Sequence, residues 1–274
     1  MFFSYHVHSN LSDGEAEISE IIRTASEMSL DEIGLSDHYV LTPDRRMFHW
    51  SMPPDGIEDY VTAVQSAAGL AADGLIVRMG LEADFIPEAV TELKAVLQSQ
   101  PFDYVIGSVH LVDGFLTDSR PQDWDTFDQT ERDKIIRKYW IRVAEMAESG
   151  IYDIVGHMDL IKKFAIYPSV QLSKEIDLAL DAIARSGMSV ELNTSGWHQP
   201  CQEAYPSRSI IEGCFKRGIP MLVSADSHNF KTITRDFERA YELLRDVGYT
   251  EISSYAGRER IMQPIPHTYQ TNER

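Results

Sequence analysis

The chain has 274 residues, 43% of them hydrophobic, and carries 43 Asp plus Glu against 25 Lys plus Arg, a formal charge of −18 at pH 7. That balance argues against nucleic-acid binding through a broad basic surface, and no apolar run is long enough to span a bilayer. Two cysteines, Cys201 and Cys214, give no disulfide framework, and a strand that starts too early for a signal peptide to precede it completes the expectation of one cytoplasmic domain over residues 1–274.

Met1 to Val7 is apolar and aromatic enough for a buried strand, and alternation puts His6 and His8 on one face. Ser12-Asp13-Gly14 is turn chemistry that curls Asp13 back over the strand end. Ile18, Ile21, Ile22, Ala25 and Met28 then mark one face of a helix. A strand over 32–36 delivers Asp37-His38. Residues 39–56, with Pro43, Pro53 and Pro54 and no periodicity, read as a long loop of the kind used as a lid or binding loop. Ile57 to Ala71 is helical, residues 75–81 form a strand running into Glu82, and a helix spans 87–97. A strand over 103–109 ends in His110. A second long loop, 111–129, leads to a helix whose inward positions include Ile135, Ile136, Tyr139, Trp140, Val143 and Met146. Strand 152–156 ends in His157. Helix 173–186 precedes strand 188–193, which carries Glu191 and Asn193. Helix 207–217 precedes strand 220–224, which ends in Ala225-Asp226-Ser227-His228. Helix 235–247, a short strand over 251–255 and a polar irregular tail complete the chain.

Strand and helix alternating through short connections imply a parallel sheet, and seven such units predict a distorted TIM-like barrel more than an open sheet. In a barrel the C-terminal strand ends share one face, where sites are built. Nine residues collect there: His6, His8, Asp13, His38, Glu82, His110, His157, Asp226 and His228. A single histidine at a strand end is ordinary, but a ring of them is not. Imidazoles and carboxylates suit zinc, manganese or iron, and a carboxylate such as Glu82 bridges two ions through its two oxygens, so nine ligands predict two or three divalent transition-metal ions. Spacing alone does not divide the ligands among the ions.

His6-Val7-His8 with Ser12-Asp13-Gly14, Ser36-Asp37-His38, Gly107-Ser108-Val109-His110, Gly156-His157 and Asp226-Ser227-His228 resemble the motifs of the polymerase and histidinol phosphatase (PHP) superfamily, over nearly the whole chain. Gly80-Leu81-Glu82, Gly107 to Asp113, Glu191 to Gly196 and Tyr205-Pro206-Ser207 are similar to its monofunctional histidinol-phosphate phosphatases. The resemblance implies a seven-unit barrel with a three-metal centre: one ion on His6, His8, Glu82 and Asp226, a second on Glu82, His110 and His157, a third on Asp13, His38 and His228. Glu82, Asp226 and His228 are the residues expected to act in catalysis. Paired ions activate water near neutral pH, bind phosphoryl oxygens and stabilise a departing alkoxide. The implied activity is hydrolysis of a small phosphorylated metabolite, L-histidinol phosphate, in histidine biosynthesis.

Lys162 and Lys163 after His157, and Arg45, Arg46 and Arg120 in the long loops, are candidates to bind the phosphate. His198 is a further substrate-binding candidate, at a position where the family it resembles more often has a basic residue such as Arg. For the amine and imidazole end of the substrate the two loops offer Asp44, Asp55, Asp113, Asp118, Phe48, Trp50 and Phe115. Three rivals compete: a PHP enzyme acting on nucleotides, an amidohydrolase, whose metals are commonly bridged by a strand-end lysine, and a catalytically inactive metal-binding scaffold. The oligomeric state stays open.

Overall fold

In the computed structural model, which describes residues 1–72 and 74–266, short parallel strands alternate with helices. The chain runs β1 (Phe3–Ser4), α1 (Ile18–Glu27), β2 (Glu32–Leu35), β3 (His38–Tyr39), α2 (Ile57–Ala68), β4 (Ile76–Met79), β5 (Glu82–Asp84), α3 (Val90–Ser99) and β6 (Ile106–Ser108). A small hairpin of β7 (Leu111–Val112) and β8 (Phe115–Leu116) follows, then α4 (Gln129–Glu148), β9 (Ile154–Val155), α5 (Ser173–Ser186), β10 (Ser189–Asn193), α6 (Arg208–Lys216), β11 (Met221–Ser224) and α7 (Phe237–Val247). A second hairpin, β12 (Glu251–Ala256) and β13 (Glu259–Pro264), ends the described chain.

The parallel strands form two sheets, in the orders β1-β2-β4 and β11-β10-β9-β6-β5-β3. Single hydrogen bonds carry the ladder across the breaks between them, from Gly80 N to Leu35 O at 2.8 Å and from Glu82 N to Asp37 O at 3.2 Å. At the other edge a parallel bridge pairs Val7 with Ser227, with His8 N donating to Ser227 O at 2.9 Å and Ser227 N to His6 O at 3.0 Å. Both breaks have local causes. At Ser36-Asp37 the Asp37 carboxylate accepts from Ser9 N and Ser9 Oγ at 2.7 Å each, tying the strand to the turn that follows His8. At Gly80 a Cβ would lie 2.1 Å from Tyr104 Cζ, and at Gly34 one would lie 2.2 Å from Tyr104 Oη. The two glycines let the strands close around that ring, which stacks on Tyr5 at 4.8 Å between centroids and donates to Leu35 O at 3.3 Å.

Helices cover the strands as their periodicity predicts. α1 buries Ile18, Ile21, Ile22 and Ala25. α4 starts at a capping box in which the Asp128 carboxylate accepts from Glu131 N and Glu131 from Asp128 N, both at 2.9 Å, satisfying two otherwise unpaired helix-end donors. That box ends the second long loop, which holds the β7–β8 hairpin and a 3₁₀ turn over Pro121–Thr126.

The chain beyond Tyr255 departs from the expected irregular tail. β12 and β13 pair antiparallel from Glu251↔Pro264 to Ala256↔Glu259. Gly257 (φ 56°) and Arg258 (φ 70°) make the two-residue turn, the left-handed pair that matches strand twist. Arg258 tolerates that conformation because Arg258 N donates to Asp103 O at 2.8 Å and its guanidinium to Ile151 O at 2.7 Å. These contacts lie about a hundred or more residues away in sequence, so no local signal announces the turn. Residues 267–274 of the expected tail lie outside the described residues. No helix among the described residues is long and apolar enough to cross a membrane.

Candidate metal centre

All nine predicted ligands meet at the C-terminal ends of the strands. His6 and His8 flank the Val7 bridge, their rings 5.0 Å apart. The turn after them folds back because Gly14 has no side chain, a Cβ there lying 2.2 Å from His8 O. This brings Asp13 Oδ1 to 3.2 Å from His228 Nε2 and 3.6 Å from His38 Nε2. His38 stands opposite Glu82 in register. Glu82, fully buried, is the hub. Its Oε1 lies 2.9 Å from His157 Nε2 and 3.8 Å from His110 Nε2, and its Oε2 lies 3.2 Å from His6 Nε2, 3.6 Å from His8 Nε2 and 2.6 Å from His38 Nδ1. Asp226, held at φ 50° where a non-glycine residue is strained, puts Oδ1 3.2 Å from His8 Nε2 and 3.5 Å from His6 Nε2.

The ligand atoms fall into four overlapping groups, each spanning no more than 4.8 Å: His8, Asp13, His38 and His228; His6, Glu82 and His157; His6, His8 and Asp226; His38, Glu82 and His110. The division implied by resemblance is therefore blurred, since His8 also joins the Asp13 group and His38 also reaches Glu82. The donor set fits divalent cations. His6 Nε2 and Glu82 Oε2 are buried side by side with no hydrogen-bond partner, and metal ligands present lone pairs in that way.

The electrostatics point the same way. Burial pushes the Glu82 carboxyl up, but the neighbouring His38 and His6 rings and the hydrogen bond from His157 outweigh it and hold the group well below the usual range. Asp226 is likewise held down against burial by His6, His8 and His228. His110, opposed by burial, is raised to about 10 by Asp84, and His228, also against burial, to about 9 by Asp13 and Asp226. His8 goes the other way, to about 3, through burial and the like charges of His38 and His228. Buried carboxylates stay anionic here only with positive charge among them. Protons on imidazoles supply it in one state, and divalent ions supply it in the other.

A second ring of side chains orients the first. His110 Nδ1 bonds Asp84 Oδ1 at 2.6 Å, and His6 Nδ1 bonds Glu191 Oε2 at 2.8 Å. Glu191 also accepts from His157 N at 2.6 Å, Asn193 Nδ2 at 2.8 Å and Ser224 Oγ at 2.7 Å. Such bonds leave each ring's Nε2 for a metal. Asp84 escaped the sequence reading, although its spacing of two from Glu82 on β5 was the available signal.

Above the ligands opens a cleft of about 490 Å³. Trp50 walls it, its ring 5.0 Å from His38 and 5.3 Å from His110, so the first long loop does fold over the centre. The proposed phosphate-binding residues fare unevenly. Lys163 lines the cleft, with Nζ 3.1 Å from Asp118 Oδ2. Lys162 does not; it is buried between Asp159 at 2.9 Å, Glu203 at 3.0 Å and Ala204 O at 2.8 Å, so its charge is already compensated. His198 is half exposed and turned to Asp236 at 2.6 Å. Arg45 pairs with Glu92, Arg120 with Asp123, and Arg46 lies over the Phe48 ring; none of the three lines the cleft. Of the residues offered for the substrate's far end, Asp118 and Trp50 line the cleft, whereas Asp113 pairs with Lys138 and Arg142 and Phe115 packs on Trp124. The sequence reading missed Arg235, a cleft residue whose position depends on a turn after the last metal-ligand motif.

A cradle of histidines and carboxylates at the ends of parallel strands defines a metal-binding α/β protein. The chain belongs to the PHP domain family, whose model matches residues 4–195. It is 32% identical over 248 residues to a probable histidinol-phosphatase of Deinococcus radiodurans, covering 89% of this chain and 92% of that one. It is 23% identical over 268 residues to the histidinol-phosphatase of Lactococcus lactis, covering 92% and 94% respectively. The crystal structure of histidinol phosphate phosphatase from Lactococcus lactis, complexed with zinc, L-histidinol and phosphate, matches the fold with a TM-score of 0.80 at 20% identity, over 95% of this chain and 98% of that chain.

Proposed function

We propose that this protein is a metal-dependent phosphomonoesterase that hydrolyses L-histidinol phosphate to L-histidinol and phosphate. The observation that carries the proposal is Glu82: one buried carboxylate faces His110 and His157 with one oxygen and His6, His8 and His38 with the other, beneath an open cleft. Relatives covering about nine-tenths of the chain, named as histidinol-phosphatases, supply the substrate. His6, His8, Asp13, His38, Glu82, His110, His157, Asp226 and His228 would hold two or three zinc, manganese or iron ions, with Glu82 shared between sets. Divalent ions so held supply Lewis-acid activation of the phosphoryl group and of water.

The chain's own side chains do the rest. Glu191 and Asp84 fix the His6 and His110 rings so that their Nε2 atoms face the centre. Asp226 and His228 line the cleft in which the phosphoryl group would sit. Asp118, kept ionised against burial by His110 and Lys163, offers a carboxylate to the substrate amine, and Trp50 offers an aromatic wall. The Val7–Ser227 bridge supports a closed barrel of seven βα units in one domain, and the two buried free thiols, Cys201 and Cys214, support placement in the cytoplasm.

Initial rates on a panel of esters test the reading. kcat/KM for L-histidinol phosphate should exceed that for an aryl phosphate by at least about a hundredfold, roughly 2.7 kcal/mol of transition-state discrimination drawn from the remote end. Equal or better hydrolysis of a nucleotide or sugar phosphate removes the histidinol assignment and leaves a metallophosphatase of other specificity.

A further inference from the structure

A phosphatase of charge −18 needs a local cation for the phosphoryl group, and the basic residues near the cleft are not equivalent. Lys163 is engaged by Asp118, and Lys162 by Asp159 and Glu203. Arg235 differs. It lines the same cleft as Asp226 and His228. Its Nε is buried and makes no hydrogen bond. Its neighbour Asp236, the nearest carboxylate in sequence, is bound to His198 Nε2 at 2.6 Å instead. A buried, unpaired guanidinium nitrogen costs free energy unless a ligand completes it.

The backbone that carries Arg235 is fixed from two sides. Thr194, at the end of β10, donates its Oγ1 to Arg235 O at 2.7 Å, and Arg235 N donates to Thr232 O at 3.1 Å. The residue is therefore anchored to the same strand ends that carry the metal ligands. A guanidinium cannot ligate a cation, and its planar set of N–H donors matches two oxygens of a phosphate.

We propose that Arg235 binds the phosphoryl group of the substrate, in the role the resemblance would give to the position of His198. This rests on the phosphomonoesterase reading of the site but not on the identity of the alcohol, because phosphate oxygens are common to every ester. Asp236 makes the exchange coherent: by taking His198 it holds that ring on the exposed side and leaves Arg235 to the cleft.

The test uses the metal-loaded enzyme and its Arg235→Gln and Arg235→Lys variants, with bound metal, inhibition by inorganic phosphate, phosphate-induced rise in Tm, and kcat/KM for L-histidinol phosphate and an aryl phosphate as readouts. Arg235→Gln is expected to raise the phosphate Ki by about ten- to a hundredfold and to remove most of the phosphate-induced rise in Tm, with metal content unchanged. kcat/KM should fall by the same factor for both esters. Arg235→Lys should fall between wild type and glutamine, a point charge replacing the fork. An unchanged phosphate Ki in Arg235→Gln overturns the proposal, as does a loss confined to L-histidinol phosphate, which would put Arg235 on the alcohol end. A loss of phosphate affinity in His198→Ala without one in Arg235→Gln overturns it too. Should the glutamine variant fail to fold, an unchanged Ki in Arg235→Lys counts against it. A wild-type enzyme that prefers another ester sinks the histidinol reading alone, since phosphate Ki still judges Arg235.

Discussion

Replacing Glu82 by glutamine keeps the volume and one acceptor oxygen but removes a buried negative charge. The side chain is 0% exposed and five imidazole nitrogens lie between 2.6 and 3.8 Å from its oxygens. Breaking a buried charge pair by removing one partner costs about 3–5 kcal/mol. At about 1.4 kcal/mol per power of ten, metal affinity should fall by roughly two to three and a half orders of magnitude. The new amide NH2 also has nowhere good to go, since the atoms it would face on the Oε2 side are imidazole nitrogens and incoming cations. Metal content after gel filtration, measured by mass spectrometry, should drop by at least one ion per chain, and turnover should become undetectable while the far-ultraviolet circular dichroism stays native. Full metal occupancy with near-wild-type turnover would refute the hub role assigned to Glu82.

Asp84→Asn should weaken metal binding about 10- to 100-fold, because the partner that orients His110 is lost; titration with a chromogenic chelator reads this, and unchanged affinity counts against it. Gly80→Ala or Gly34→Ala should destabilise the fold by about 1–3 kcal/mol by driving a methyl into Tyr104, measurable as a lower urea midpoint, with wild-type midpoints as the contrary result. The pH dependence has a definite sign. His110 and His228 have folded pKa values raised to about 10 and about 9, so in the metal-stripped protein their contribution is complete below about 6.5 and lost as pH rises through those values. Protons also compete with metal for the same nitrogens at low pH. The Tm difference between loaded and stripped protein should therefore widen from pH 6 to 9, and a gap that narrows contradicts the assignment.

The ring of histidines and carboxylates was legible because strand alternation and strand ends are local properties: His6 and His8 share a face at a spacing of two, and His38, Glu82, His110, His157 and Asp226 follow short apolar runs. The same locality set the limits. Lys162 and Lys163 are adjacent in sequence, yet one turns into Asp159 and Glu203 and the other into the cleft, a difference to which Glu203 and Asp118, some forty positions away, contribute. Arg235 carried no signal beyond its charge, since Thr194 is what places it. The β12–β13 turn was hidden for a similar reason, Arg258 being held in a left-handed conformation by Asp103 and Ile151.

The most direct test of the account is phosphate release from L-histidinol phosphate by protein stripped with a chelator and then reloaded with zinc or manganese. The stripped protein should release no phosphate above background, and activity should return in proportion to metal bound, saturating at two or more ions per chain. Turnover that survives complete removal of metal, or reloaded protein that stays inactive on every phosphate ester, would contradict it.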